Sequence, residues 1–201
     1  MASDIMVKKP DEAERLEALK VFLRSFRSTG ESREAGLDHF INMLEGAGLA
    51  HVRAAVDSKG KVVGSGGLIC FKTTAWIALM GVEPGLQRQG IGDAIMTELM
   101  NLAIDLGFKT VKLDATNFGQ GLYARHGFTD EYPVHMYEIP ASCDLGMQGG
   151  PRVRLDEEVP EWCLAMDRAA SGDDRSALFS AALADGAKVL MVEGQGFGIM
   201  H

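Results

Sequence analysis

Val82-Glu83-Pro84-Gly85-Leu86-Gln87-Arg88-Gln89-Gly90-Ile91-Gly92 sets three glycines and an arginine between an apolar strand-like run and an amphipathic helix-like run. That arrangement can hold a diphosphate. The first N–H groups of a helix have no intrahelical partner, and the helix dipole favours an anion there. Gly90 and Gly92 leave room for a phosphate to approach the main chain, Arg88 adds a cation, and Pro84 helps stop the preceding strand. Spacing excludes two other glycine loops. A Walker loop would need Lys and a hydroxyl where Ile91 and Gly92 stand, and a dinucleotide fingerprint would need Gly or Ala at Ile95.

What remains is Gln/Arg-x-x-Gly-x-Gly/Ala, carried by Gln87, Gly90 and Gly92 and preceded by Val-x-Pro. It closely resembles the acyl-CoA pyrophosphate loop of the GNAT superfamily of N-acyltransferases. A second stretch supports the resemblance: Asn117, Tyr123, Gly127 and Phe128 match the family's N-x-x-A-x-x-Y-x-x-x-G-F at the right spacing, while Gln120 departs from its usual small residue. The resemblance implies that acetyl-CoA is cosubstrate and that Gln87, Arg88, Gln89, Gly90, Ile91 and Gly92 hold its diphosphate. It also implies that the main chain of Leu79, Met80, Gly81 and Val82 meets the pantetheine and acyl carbonyl. Asn117 would contact the coenzyme arm, and Tyr123 would stand near the sulfur as general acid. An unperturbed tyrosine pKa near 10 suits proton donation to a thiolate of roughly 8.5.

The general base is not evident. Trp76-Ile77-Ala78-Leu79-Met80-Gly81 has no titratable side chain, and Glu83, Asp114 and His126 are candidates only by proximity in sequence. A water relay serves equally, since an amine can lose its proton before binding. The three cysteines, Cys70, Cys143 and Cys163, show no metal-ligand spacing and read as buried thiols, and no zinc constellation is expected.

These groups need elements to position them. A strand is expected at Ile5–Lys8 and a helix after Pro10 with the stripe Leu16, Leu19, Phe22, Leu23 and Phe26. A second helix follows Gly30, with Leu37, Phe40, Ile41 and Leu44 on one face, and ends at Gly46 or Gly48. Val52–Val56 and Lys61–Phe71 flank Asp57-Ser58-Lys59-Gly60, a hairpin signal, and Trp76–Val82 completes an antiparallel meander. Gly64, Gly66 and Gly67 inside the middle strand imply a bulge or a close approach by another element.

Ile91, Ile95, Leu99, Leu102 and Leu106 mark a helix closed by Gly107. A strand at Val111–Leu113, a brief helix from about Asn117 to His126 and a last strand at Tyr132–Ile139 follow. A strand–helix–strand unit makes the strands on either side of the long helix parallel. The order β-α-α-β-β-β-α-β-α-β is that of the GNAT fold, an α/β (α+β) architecture with a mixed, mostly antiparallel sheet flanked by helices. The resemblance implies that its middle strands splay around the pantetheine arm.

From Ala141 the texture changes, so the expected division is a GNAT acetyltransferase domain over 1–140, a linker over 141–151 and an incomplete second GNAT-like unit over 152–201. That remainder carries strands at Val153–Leu155, Val189–Val192 and Phe197–Met200, with helices after Pro160 and from about Asp173 to Ala184. Its partial repeat has no phosphate loop, which implies one active site per chain. Its last strand would have an unpaired edge, to be met by the first domain or by another protomer in a homodimer.

Composition bounds the partners. A net charge of −8 argues against a nucleic-acid surface, no apolar run approaches the roughly 20 residues of a membrane span, and the N-terminus lacks a signal-peptide pattern. A cytoplasmic location is the default expectation. Residues 1–140 hold 15 basic and 18 acidic side chains, a net of −3, so most of the net charge of −8 lies beyond them. The leading expectation is an acetyl-CoA-dependent N-acetyltransferase acting on a primary amine of a small molecule or peptide by direct attack in a ternary complex. The alternative is a module that binds acyl-CoA as a sensor or scaffold without turnover.

Overall fold

The computed structural model describes residues 5–135 and 153–200. Five strands form one sheet in the order β1-β2-β3-β4-β5: β1 (Met6–Lys8), β2 (Ala50–Val56), β3 (Val62–Cys70), β4 (Thr74–Val82) and β5 (Thr110–Lys112). Neighbours are antiparallel except β4 and β5, which pair in parallel as the crossover through α3 (Ile91–Asp105) requires. The β2–β3 turn closes on Asp57, whose Oδ1 accepts the N–H groups of Lys59 and Lys61, while Gly60 takes φ +79°.

The helix α1 (Glu12–Ser25) starts on a capping box, with Asp11 accepting the Glu14 N–H and Glu14 accepting the Asp11 N–H. Its buried face differs from the expected stripe. Ala18, Leu19, Val21 and Leu23 are buried, whereas Leu16 and Phe26 are exposed. Small residues bring the helix down onto the sheet, and a Cβ on Gly81 of β4 would lie 2.8 Å from Phe22 Cα. Periodicity favoured the large side chains and missed the face that allows close approach. The α2 helix (Glu31–Gly46) buries Ile41 and Leu44 and leaves Phe40 exposed.

On the other side of the sheet, α3 buries Ile91, Ile95, Met96, Leu99 and Ala103. It rests on the glycines of β3: a Cβ would meet Ile95 at 2.7 Å from Gly64 and at 2.4 Å from Gly66. The close approach expected for that glycine cluster is made by α3, and the bulge opposite Gly66 lies on the neighbouring β4.

The short helix α4 (Gln120–Arg125) is tighter than the expected Asn117–His126. The expected strand at Tyr132–Ile139 is not found at Tyr132–His135, where Pro133 can donate no ladder bond; Met136–Ile139 lie outside the described residues, as does the 141–151 linker with Cys143. Cys70 and Cys163 are buried free thiols. Burial pushes the Cys70 thiol up to about 11, so it is inert as a nucleophile at neutral pH.

The remaining elements run β6 (Arg154–Asp156), α5 (Glu161–Ser171), α6 (Ser176–Ala184), β7 (Lys188–Val192) and β8 (Gly196–Met200), with an antiparallel sheet ordered β6-β7-β8. Leu178 and Ala181 of α6 pack on the cluster of Leu19, Ile41, Leu44 and Val52, and His39 pairs with Asp185 at 2.6 Å. Asp173 clasps the β3–β4 turn. Its carboxylate accepts the Thr74 N–H at 2.7 Å, the Thr73 N–H at 3.1 Å and the Asp174 N–H at 2.7 Å, and the residue is 8% exposed.

Burial alone would raise the pKa of Asp173, but the N–H donors from Asp174, Thr73 and Thr74 outweigh it and hold the carboxyl below its ordinary value. A depressed folded pKa contributes stability above the unfolded value near 3.9 and loses it as pH falls through the folded one. Asp173→Ala also strands these donors, so an unfolding titration at pH 7 is expected to show a loss of about 1–3 kcal/mol. The difference from wild type should shrink below pH 4.

Candidate active site

Three features converge at one end of the five-stranded sheet. The first is the free side of β4. β5 pairs with it only through Thr74–Thr110, Ala75–Val111 and Trp76–Lys112, and β4 then runs on to Val82 without a strand on that side among the described residues. Main-chain groups beyond Trp76 are therefore open to a ligand that lies between the two strands.

The second feature is the bulge in β4. Ser65 faces Gly81 and Gly67 faces Ala78, so Leu79 and Met80 together oppose Gly66. Leu79 takes φ +57°, a conformation that costs a branched residue roughly 1–2 kcal/mol. Its side chain is buried over Gly67, where a Cβ would meet Leu79 Cδ1 at 3.0 Å, and that packing holds the strained backbone in place. The bulge changes the outlook of the main chain at Leu79–Gly81.

The third feature is the entry to α3. Gly90 is its N-cap residue at φ +87°, and no side chain caps the helix. Gly85 and Arg88 also have positive φ, +92° and +62°. The first-turn donors of α3 are thus available for an anion, in a loop folded tightly enough to present them together. Gln87 and Gln89 touch the loop's own carbonyls only at 3.4 and 3.5 Å. Gly92 has a different reason to be glycine from the one its spacing suggests: a Cβ there would face Leu122 of α4 at 3.3 Å and Val82 at 3.8 Å.

That contact brings the second motif to the first. Tyr123, the next residue on α4, is half-buried and folds back along its helix, its ring edge to face with Phe128 at 6.3 Å. The ring lies over Gly119, where a Cβ would stand 2.6 Å from Tyr123 Cε2. The small residue that accommodates the tyrosine is therefore Gly119, which explains how Gln120 departs from the motif without cost. Burial raises the Tyr123 pKa above its ordinary value, keeping the phenol protonated at neutral pH. Gly119→Val is expected to leave α4 in place but displace this ring. Tyrosine fluorescence quenching and a several-fold fall in any turnover would report it. Asn117 is exposed in the turn before α4, and Phe118 beside it is 97% exposed.

The base candidates are mostly engaged. Glu83 Oε2 accepts Arg24 Nη2 at 2.8 Å and Arg24 Nε at 3.1 Å, and the same guanidinium meets Glu17 at 2.8 Å. His126 pairs with Asp93 of α3 at 3.0 Å, and Asp114 is exposed at the end of the β5 segment. Asp93 and the positive φ of Leu79 are the two site features that sequence reading did not anticipate. The first had a signal in its place three residues after Gly90; the second had none beyond the glycines of β3.

Residues 49–130 match the model of the acetyltransferase (GNAT) domain. The amino-acid acetyltransferase of Mycobacterium tuberculosis is 37% identical over 75 residues, which make up 37% of this chain and 42% of that relative. The match thus spans less than half the length of the curated relative. Among solved structures, a proposed acetyltransferase from Pyrococcus horikoshii superposes with a TM-score of 0.79 at 25% identity, covering 99% of this chain and 68% of that one. A protein from Clostridium acetobutylicum, assigned as an acetyltransferase and solved with acetyl-CoA, shares the fold at a TM-score of 0.57 and 16% identity over 66% of this chain and 96% of its own. With the five-stranded mixed sheet, the side of β4 left open beyond Trp76 among the described residues and the uncapped α3, these matches show that the chain has the GNAT acetyltransferase fold, with residues 49–130 similar to that family's domain.

Proposed function

We propose that the protein transfers an acetyl group from acetyl-CoA, the acyl donor of the GNAT family, to a primary amine of a small molecule or peptide. The observation that carries this reading is the uncapped, glycine-led N-terminus of α3 beside the unpaired edge of β4. The diphosphate rests on the main chain of Gln87–Gly92, with Arg88 as the flanking cation, and the pantetheine arm lies along Leu79–Val82. Asn117 borders that arm.

The amine lone pair attacks the thioester carbonyl carbon. A main-chain N–H at the β4 bulge stabilises the developing oxyanion, a contribution of roughly 3–4 kcal/mol in sites of this kind. The C–N bond forms, the C–S bond breaks, and the departing thiolate takes the Tyr123 proton. The ammonium proton leaves to water, because Glu83 and His126 are held by Arg24 and Asp93. No acyl-cysteine is formed, in keeping with the burial of Cys70 and Cys163.

The engagement of Glu83 and His126, two of the base candidates, also favours one alternative, a domain that binds acetyl-CoA without turning it over. Incubation with acetyl-CoA, a panel of amines and a thiol reagent separates the two. Free CoA released only when an amine is present supports the enzyme; tight binding with no release across the panel supports the sensor.

Residues 153–200 are read as half of a second GNAT-like unit. β6-α5-α6-β7-β8 repeats the order of β1-α1-α2-β2-β3 and the antiparallel pairing of its strands, and it has no counterpart of the Gln87–Gly92 loop.

A further inference from the structure

The α4 helix is six residues long, has no side-chain cap at its N-terminus and has no fully buried residue. A helix that short has little stability of its own and takes its position from whatever holds it. On one side it is held by apolar contact, Leu122 against Gly92 and Tyr123 against Phe128. On the other it is held by charge. His126 Nε2 donates to Asp93 Oδ1 at 3.0 Å, and Arg125 Nη2 lies 3.8 Å from the same oxygen.

His126 is wired to Tyr123 through the backbone. Its N–H donates to the Tyr123 carbonyl at 3.0 Å, as does the Phe128 N–H at 3.1 Å. The His126 side chain is only 17% exposed, so its bond to Asp93 is partly shielded from water and firmer than an open surface pair. Asp93 in turn belongs to the first turn of α3, the element that carries the anion cradle. An acid in that place would repel a diphosphate if left alone, and the Arg125 guanidinium together with the His126 N–H donor offsets it.

We propose that the Asp93–His126 pair is a latch that registers Tyr123 against the coenzyme cradle, which makes His126 a positioning residue and not the general base. The inference rests on the reading of Tyr123 as proton donor. In a ternary complex the phenol must meet the sulfur while the diphosphate sits on α3, and the latch is the polar tie that fixes the distance between those two elements. Misplacement of the phenol then costs rate without removing any group that touches substrate.

Kinetics of the full chain with acetyl-CoA and an amine from the panel test this. His126→Ala is expected to lower kcat about tenfold, the scale on which small misplacements act. Asp93→Ala, which removes the acceptor, should lower kcat similarly without raising the KM for acetyl-CoA, since it also removes an anion beside the cradle. His126→Gln, which keeps a donor near the position of Nε2, should restore most of the loss. The decisive arm combines His126→Ala with Tyr123→Phe: a latch that acts through Tyr123 produces no further loss in that background. If His126→Ala fails to fold, Asp93→Ala carries the same cycle. An unchanged kcat in His126→Ala or Asp93→Ala, or the same fold loss with and without Tyr123, overturns the latch while leaving the acid reading standing. An unchanged kcat in Tyr123→Phe alone overturns the acid reading, and the latch with it.

Discussion

Gly90→Val is expected to weaken acetyl-CoA binding by about 100-fold, because the cradle depends on several charge-assisted bonds from main-chain N–H groups, each contributing about 1.5–3 kcal/mol. Gly90 sits at φ +87°, where a branched side chain is strained, and the substitution also places carbon in the proposed diphosphate cradle. Calorimetric titration of the variant against wild type measures the loss directly. The thermal midpoint without ligand should fall only modestly, since a left-handed non-glycine residue costs roughly 1–2 kcal/mol. Gly92→Val is expected to behave differently. Its side chain would push on Leu122 and move α4, so turnover should suffer more than binding.

Tyr123→Phe is expected to lower kcat by about 100-fold, the lower end of what a positioned general acid contributes, and to leave the affinity for acetyl-CoA nearly unchanged. The phenol is the only group lost, and the ring still packs on Phe128 and over Gly119. The pH profile adds a sign. Burial disfavours the phenolate and raises the pKa above its ordinary value near 10, so the protonated, active form persists through neutral and mildly alkaline pH. Any fall in wild-type kcat below pH 9 therefore belongs to another group, and Tyr123→Phe should not alter it.

Much of the fold could be read from local pattern. Of the α3 stripe, Ile91, Ile95 and Leu99 are buried as their spacing required, while Leu102 is half-buried and Leu106, the C-cap residue, is exposed; Asp57 and Gly60 closed the β2–β3 hairpin as their types required. The glycines of β3 were recognisable as a place of close approach because no other residue has reason to interrupt an apolar strand three times. What escaped was set by contacts between distant segments. Ala18 and Val21, not Leu16 and Phe26, face the sheet because α1 sits close over Gly81, and nothing within a helix reveals the shape of its partner.

The site divides in the same way. The loop Gln87–Gly92 and the tyrosine segment were each visible as short motifs, since main-chain anion binding demands glycine at definite places. Their meeting was not visible. It depends on Leu122 against Gly92 and on His126 with Asp93, a pair 33 residues apart. His126 follows Tyr123 by three, which makes it a base candidate by proximity in sequence; the carboxylate of Asp93, which its Nε2 meets at 3.0 Å, has no signal in that spacing. Asp173, 99 residues from Thr74, likewise joins α5–α6 to the first sheet by a bond that no local pattern announces.

A crystal structure of the full chain with acetyl-CoA tests the account most directly. The account places the diphosphate oxygens within hydrogen-bond distance, about 3 Å, of main-chain nitrogens between Arg88 and Gly92, and the pantetheine along Leu79–Val82. The thioester sulfur then lies within reach of the Tyr123 hydroxyl. A coenzyme bound elsewhere, or bound in the cradle with its sulfur remote from Tyr123, would contradict it.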